Sequence, residues 1–438
     1  MTKKIGIGLL GLGTVGTGVA NIVNSPEGRH PLVSSIHLAK IAVKSLQKPR
    51  AITLDSKILT NDPLEVINDP NVQVVVEVMG GIEPARSLIL RAIEAGKSVV
   101  TANKSVIARH GEEIAKEANK AGVYVLIEAA VGGGIPIIEP LKQSLGGNRI
   151  SKVTGIINGT TNYILSQMSR GGANYQDVLK EAQQLGYAEA DPTADVEGHD
   201  AADKIAILSG LAFGGAIERT KIPTKGISNL KILDIEYAQK LGYEIKLLAI
   251  AENLDISQAK DSSLSVALRV EPTLVPIEHP LSGVNGVNNA ILIEGDPIGE
   301  VMFYGPGAGS GPTASAVVAD ILNIAGVKLM SENKNSLDPL LSAFRWRNCE
   351  LADPRQIPQK NYVRLITVDS AGVIGQIGNV FGKENVSIQS IVQYDSIESE
   401  AEIIIITHNV TRGQIRDSLD KIKELNEVTK VATHLSCL

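Results

Sequence analysis

The strongest constraint on this chain lies at its start. Ile5–Leu10 is a run of apolar β-type residues and glycine, and it leads into Gly11-Leu12-Gly13-Thr14-Val15-Gly16 and the amphipathic stretch Val15–Val23. A G-x-G-x-x-G that follows a strand and opens a helix is a dinucleotide fingerprint; the same glycines in another context mean little. Gly11 permits the tight turn, Gly13 lets a pyrophosphate approach the backbone, and Gly16 allows helix and strand to pack closely. Thr14 and Val15 open the helix, whose N-terminus offers free N–H groups to phosphate. Further apolar runs follow at Ile36–Val43, Val72–Val78, Ser98–Thr101 and Val123–Ile127, with helical patterns at Glu83–Ala95 and Gly111–Ala121. This alternation predicts an α/β fold with a Rossmann-type parallel sheet over residues 1–130.

The end of the second run bears on cofactor choice. NAD enzymes usually place an acid there to bind the ribose diol. Here Ala42-Val43 is followed by Lys44, Ser45, Gln47, Lys48 and Arg50, with no acid before Asp55. Cations at that point neutralise a 2′-phosphate, so NADP(H) is favoured, with Lys44 as its first contact, and NAD(H) stays open.

A length of 438 residues exceeds what one core usually holds. Residues 131–304 read as a mixed α+β domain, with a Gly132–Gly134 turn, strand-like runs at Lys152–Ile157, Ser263–Val270 and Ala290–Glu294, and a helix at Ala201–Phe213. The glycine-rich Gly305–Gly311 turn precedes the helical pattern Ala314–Ala325, so residues of about 305–326 are expected to return to the first domain. Residues 327–360 read as a linker, polar and proline-bearing toward their end. Residues 361–438 spell βαββαβ, the ferredoxin-like pattern, from Tyr362–Val368 to Val428–His434.

A net charge of −6 argues against a globally basic nucleic-acid binder. No apolar run matches a membrane span, and the N-terminus lacks the pattern of a signal peptide, so a cytoplasmic protein is expected. Cys349 and Cys437 alone build neither a disulfide framework nor a cysteine zinc site.

Two segments carry chemistry. Lys104 follows the Ser98–Thr101 strand, at the sheet edge where open α/β folds bind ligands. A lysine held there orients a substrate oxygen or carboxylate by its charge. The second segment, Gly186-Tyr187-Ala188-Glu189-Ala190-Asp191-Pro192 running to Lys204, places six carboxylates within residues 189–204. A calcium loop starting at Asp191 fails, since Val196 stands where glycine is needed and Ala202 where glutamate is needed. A substrate ammonium group held by carboxylates such as Glu189 fits better. Asp200 and Lys204 are i and i+4 on one helix face. Lys204 then reads as the general acid for a carbonyl being reduced, with Asp200 fixing its position. His199, beside them, reads as structural.

With these residues assembled, the chain resembles the homoserine dehydrogenases, in the bacterial form with a C-terminal ACT domain, over essentially its whole length. The likeness rests on the glycine turn, Thr101-Ala102-Asn103-Lys104, Asn158-Gly159-Thr160-Thr161-Asn162-Tyr163-Ile164-Leu165, the 186–192 block, and Asp195-Val196-Glu197-Gly198-His199-Asp200 with Lys204. It implies reversible, NAD(P)-dependent interconversion of L-aspartate 4-semialdehyde and L-homoserine in threonine, methionine and isoleucine biosynthesis. It makes Lys204 the proton donor or acceptor at the substrate oxygen and sets Lys104 beside substrate and nicotinamide. Glu189 and Asp200 bind the amino acid, with Asp195 in the same network, while Gly186 and Gly305 line the cofactor. The segment Glu128–Ile135 matches a monovalent-cation site, in which sodium is held by oxygens of Glu128, Val131, Gly133 and Ile135, mostly backbone carbonyls. The tail, with Asp369 and Gly372 at its first strand-helix turn, implies a threonine effector, and the family implies a homodimer or homotetramer with residues 131–304 as its substrate and dimerisation domain. Two other readings stand beside this one: an inactive amino-acid or nucleotide sensor on the same fold, and a different semialdehyde or amino-acid dehydrogenase. Intact Lys104, Glu189, Asp200 and Lys204 speak against the sensor.

Overall fold

In a computed structural model of the chain, the leading apolar runs form one parallel sheet. The structure describes residues 4–215, 217–254, 265–332, 337–338, 340–342, 349–395 and 400–437. The chain divides into two units, Met1–Phe344 and Arg345–Leu438.

The first sheet holds β1 (Ile5–Leu10), β2 (Ile36–Ala42), β3 (Leu59–Thr60), β4 (Val74–Glu77), β5 (Ser98–Thr101) and β6 (Val125–Leu126). All pair in parallel, in the order β3-β2-β1-β4-β5-β6. The order reverses between β1 and β4, and the glycine turn leaves β1 at that switch point, where such sheets bind dinucleotides. Helices α1 (Thr14–Asn24), α2 (Pro63–Asn68), α3 (Ala85–Glu94) and α4 (Lys104–Ala121) follow the strands. The strands are buried on both faces: Ile7, Leu9, Val74 and Val76 join one core cluster, Leu10, Val75 and Val99 the other.

Helix α4 begins earlier than the expected Gly111. The Asn103 Oδ1 accepts from the Val106 N–H at 3.2 Å, an N-cap that starts the helix at Lys104. Lys104 is therefore the first helical residue, held at the sheet edge by a capped turn.

A second sheet, antiparallel, contains β7 (Arg149–Ile156), β8 (Tyr243–Asn253), β9 (Val266–Pro276), β10 (Asn288–Asp296) and β11 (Gly299–Pro306), in the order β11-β10-β7-β8-β9. The helices between are α5 (Ile138–Lys142), α6 (Gly159–Gly171), α7 (Tyr175–Gln184), α8 (Thr193–Val196), α9 (His199–Phe213) and α10 (Ile232–Lys240). Strands β8 and β11 and helix α6 were not expected, and residues 263–264 of the expected Ser263–Val270 strand lie outside the described residues. Helix α9 is buried from Asp200 through Ser209. Its apolar residues bury against the sheet and carry Asp200, Asp203 and Lys204 into the interior with them.

Helix α11 (Ser310–Glu332) then returns to the first sheet. Ala314, Val317, Ile321 and Ile324 join the cluster of Ile7, Leu9 and Val76. Gly18 of α1 makes the approach possible, since a Cβ there would lie 2.7 Å from the Ala314 Cβ. This helix corrects two expectations. It runs beyond Ala325 into the expected linker, and Ser310–Met330 is long and apolar enough by composition to cross a membrane. Half of that window is buried inside the fold, which accounts for its apolarity as core packing.

In the second unit β12 (Pro358–Val368), α12 (Val373–Lys383), β13 (Ile388–Asp395), β14 (Glu400–Thr407), the short β15 (Val410–Thr411), α13 (Arg412–Ile422) and β16 (Val428–Cys437) give the βαββαβ order. Strand β12 lies between β14 and β16, antiparallel to both. Ile377 and Phe381 of α12 and Ile415, Leu419 and Ile422 of α13 cover the sheet.

Candidate active site

Residues from four segments of the first unit meet around one carboxylate. As the chain leaves β7, Asn158 caps α6, its Oδ1 accepting from the Thr161 N–H at 2.9 Å. That cap commits the oxygen of the amide, and its Nδ2 donates to Asp195 Oδ1 at 2.7 Å and Asp200 Oδ2 at 3.0 Å. Thr160 Oγ1 donates to the Tyr187 carbonyl at 2.6 Å and lies 3.2 Å from Asp195 Oδ2. Lys204, one turn along α9, donates from Nζ to Asp200 Oδ2 and to the Ile157 carbonyl, both at 2.6 Å. Lys104, at the start of α4, forms an ion pair with Asp200 Oδ1. Asp200 thus lies between two lysines and an asparagine amide.

Burial opposes ionisation of Asp200, but Lys204 and Lys104 outweigh it and hold the carboxyl well below the usual range. Burial lowers Lys204, which is 8% exposed; Lys104 lowers it further, while Asp200 resists. Burial also works against charge on Lys104, yet Asp200, with Asp195 and Asp203 behind it, raises that lysine above its ordinary value. The two lysines are therefore tuned apart. Lys204 gives up a proton more readily, and Lys104 keeps its charge. Such a divergence is what separates a proton-transfer group from a fixed cation.

The glycine turn has the geometry of a phosphate cradle. Gly11 has φ +106 and a Cβ on Gly16 would lie 2.3 Å from the Gly11 carbonyl oxygen, so both positions demand glycine. A Cβ on Gly13 would meet nothing within 4 Å, and no side chain caps the start of α1 at Thr14 and Val15. The Gly11 N–H is taken by the Ala42 carbonyl at 3.1 Å, and the N–H groups at the start of α1 are left for a ligand.

Comparison with known proteins decides the family. The homoserine dehydrogenase model matches residues 136–322, the homoserine dehydrogenase NAD-binding-domain model residues 11–128, and the ACT-domain model residues 361–427. The homoserine dehydrogenase of Synechocystis sp. is 52% identical over 438 residues, which is 100% of both chains. The chain belongs to the homoserine dehydrogenase family. The crystal structure of a homoserine dehydrogenase from Thiobacillus denitrificans matches with a TM-score of 0.68 at 40% identity, covering 99% of this chain and 98% of that one. A hyperthermophilic archaeal homoserine dehydrogenase in complex with NADPH matches with a TM-score of 0.61 at 27% identity, covering 74% of this chain and 98% of that one. Members of this family are oxidoreductases acting on a CH–OH group, and nothing supports the inactive-sensor reading.

The other expected site residues of this homoserine dehydrogenase family member fall in varied settings. Asp195 joins the Asn158–Asp200 network, whereas Glu189 is exposed and its carboxylate pairs with no described residue. Gly186 lies in the turn after α7 with φ +75. His199 is exposed, and its carbonyl accepts from Arg219 Nη2 at 3.1 Å. Lys44 is exposed just beyond β2. Arg50 donates to the Ser45, Leu46 and Lys48 carbonyls, so it folds that loop. Gly305 lies in β11 instead of in the glycine-rich turn, and a Cβ there would sit 3.4 Å from Ile135 Cγ1.

Around the expected cation site, the Glu128 carboxylate accepts the Ile137, Ile138 and Glu139 N–H groups at 2.6, 2.9 and 2.7 Å. Its side chain thus caps the start of α5. Gly132 and Gly133 have φ +74 and +58, and a Cβ on Gly133 would lie 2.3 Å from the Gly307 carbonyl oxygen. Carboxylate oxygens of Glu128, Glu139 and Asp320 lie within 4.8 Å of one another, and Asp320 Oδ1 is buried without a hydrogen-bond partner. Burial, with Glu128 and Glu139 nearby, pushes Asp320 up to about 8. Buried carboxyl oxygens beside a glycine turn suit a hard cation, whose charge would favour their ionised forms.

Asn158 and Thr160 went unassigned in the sequence. An asparagine ahead of a helix is a recognisable cap, but nothing local links it to Asp200.

Proposed function

We propose that this chain interconverts L-homoserine and L-aspartate 4-semialdehyde, with Lys204 moving the proton at the substrate oxygen. The observation that carries the reading is the hydrogen bonding of Lys204. An ammonium has three N–H groups, and two of them are taken by Ile157 and Asp200. The third is left for a substrate oxygen. Bound nicotinamide supplies or accepts the hydride. In the reducing direction, negative charge grows on the carbonyl oxygen, and Lys204 stabilises it and delivers its proton. Asp200 holds Lys204 in place. Lys104 stays cationic and orients the substrate, and Glu189 with Asp195 receives the substrate ammonium.

NADP(H) is the preferred cofactor in this reading, with NAD(H) possible. It binds on Gly11, Gly13, Thr14, Val15 and Gly16, with Lys44 at the 2′-phosphate and Gly186, Gly305 and Lys104 along the nicotinamide half. The exposed position of Lys44 and the NADPH complex of the archaeal relative support this. Sodium is held by oxygens of Glu128, Val131, Gly133 and Ile135, with Glu128 contributing through its backbone because its carboxylate is occupied. Threonine binds the second unit at the turn of Asp369 and Gly372, where α12 starts without a side-chain cap. The protein works in the cytoplasm as a homodimer or homotetramer, supported by the exposed Leu274, Ile277, Met302 and Tyr304 on and beside the antiparallel sheet.

The test is initial-rate measurement with L-homoserine and either NADP+ or NAD+, with and without threonine and sodium. Turnover that depends on homoserine and is faster with NADP+ is expected. Folded protein inactive with both cofactors refutes the reading.

A further inference from the structure

Asp203 shares α9 with Asp200 and Lys204 but has no part in the chemistry above. It is 5% exposed, and three donor side chains converge on it. Arg219 Nε donates to Oδ1 at 2.6 Å, while Arg109 Nη1 and Ser105 Oγ donate to Oδ2 at 3.0 and 3.3 Å. Arg219 also holds the carbonyl of His199, the first residue of α9, and Arg109 holds the carbonyl of Ser105 in the first turn of α4. One buried carboxylate therefore ties together α4, α9 and the turn at Arg219.

Two links join the N-terminal ends of α4 and α9. One is Lys104 with Asp200; the other is Ser105 and Arg109 with Asp203. Their chemistry differs. The first consists of groups that face the substrate, since Lys104 pairs with Asp200 and has N–H groups to spare for a substrate oxygen. The second consists of groups that have no role toward substrate. Helix α4 comes from the dinucleotide sheet and α9 from the antiparallel-sheet domain, so the pair of links also spans the cleft between cofactor and substrate residues.

We propose that Asp203 is a positioning residue for the dehydrogenase reaction, pinning the first turn of α4 to α9 so that Lys104 keeps its place beside Asp200 and Lys204 through turnover. The proposal rests on the reading that Lys104 and Lys204 act on the substrate. A charged carboxylate is required because two guanidinium groups and a hydroxyl all donate to it. An asparagine offers one acceptor oxygen and turns N–H groups toward one arginine. The charge of Asp203 also helps keep Lys104 cationic.

The experiment compares Asp203→Asn with wild type for kcat, homoserine KM, NADPH affinity by nicotinamide fluorescence, and melting. Displacing a reacting group by about 1 Å costs up to roughly a hundredfold. The expected result is a kcat lowered about 10- to 100-fold, NADPH affinity within about twofold of wild type, and partial recovery in Asp203→Glu. A role in stability alone would lower melting and leave kcat per folded molecule untouched, and that result overturns the proposal. If Asp203→Asn does not fold, the double variant Ser105→Ala, Arg109→Gln removes only the α4 arm, and wild-type kcat in it likewise overturns the proposal. Lys104→Met and Lys204→Met are measured alongside. If they also keep full turnover, the site reading fails; if they are inactive while both Asp203 and α4-arm variants are normal, only the clamp fails.

Discussion

Replacing Lys204 by methionine removes the ammonium and keeps most of the side chain's length. The structure sets the expected size of the effect. Two of three N–H groups hold Ile157 and Asp200, so the substitution deletes one proton donor to substrate and one nearby positive charge. Positioned acid–base catalysis contributes about 10²–10⁴-fold, and one oxyanion donor contributes about 10²–10³-fold. The two contributions overlap in one group, so a loss of about 10³-fold in kcat is expected, equivalent to about 4 kcal/mol of barrier. Stability should suffer less than the roughly 3–5 kcal/mol of a broken buried ion pair, because Asp200 keeps Lys104 and the Asn158 amide. NADPH oxidation with L-aspartate 4-semialdehyde measures kcat, and nicotinamide fluorescence verifies that cofactor still binds. Lys204→Arg should not recover activity, since a guanidinium does not release its proton. A methionine variant within about tenfold of wild type would refute Lys204 as the proton donor, that being below the range for such a group.

Three other outcomes can be measured. Gly16→Ala pushes a Cβ to 2.3 Å from the Gly11 carbonyl oxygen, and overpacking of this kind costs about 1–3 kcal/mol; a melt should show this loss, and fluorescence titration a weaker grip on NADPH. Glu128→Ala leaves the three N–H groups at the start of α5 without their acceptor, which should cost about 2–4 kcal/mol in urea unfolding. Lys246, on β8, is 1% exposed and donates to the Val284 carbonyl at 2.7 Å and Asn285 Oδ1 at 3.2 Å; burial pulls it from 10.5 down to about 8. Its folded-state pKa lies below the unfolded one, so between those values the unfolded chain binds the extra proton and stability rises with pH. Over that window this group should add about 3 kcal/mol, and the rise should vanish in denaturant melts of Lys246→Met.

What was legible in the sequence was mostly local. The Ile5–Gly16 strand and turn could be read because each glycine answers to a neighbour within a few residues. The i, i+4 relation of Asp200 and Lys204 was visible for the same reason. Helix α6 was missed because Thr160, Thr161 and Asn162 are all buried, so no polar face betrays a helical period. Helix α11 was legible over Ala314–Ala325, but its ends at Ser310 and Glu332 were not, because its apolar residues continue past Ala325 with no break in pattern. The roles of Asn158 and Asp203 rest on contacts with residues far away in the chain, and no spacing rule encodes them. Glu128 shows a further limit, since no spacing rule tells that its carboxylate caps a helix nine to eleven residues further on.

The return of α11 has a consequence for how the molecule is made. Ile7, Leu9 and Val76 bury against Ala314, Val317 and Ile321, residues translated long after them. As the chain leaves the ribosome, α1 covers part of that face of the parallel sheet through Val19, Ala20 and Val23, and the rest stays unshielded while the whole antiparallel-sheet domain is synthesised. The domain begun first is among the last to close, and the nascent chain carries an exposed greasy surface through that interval.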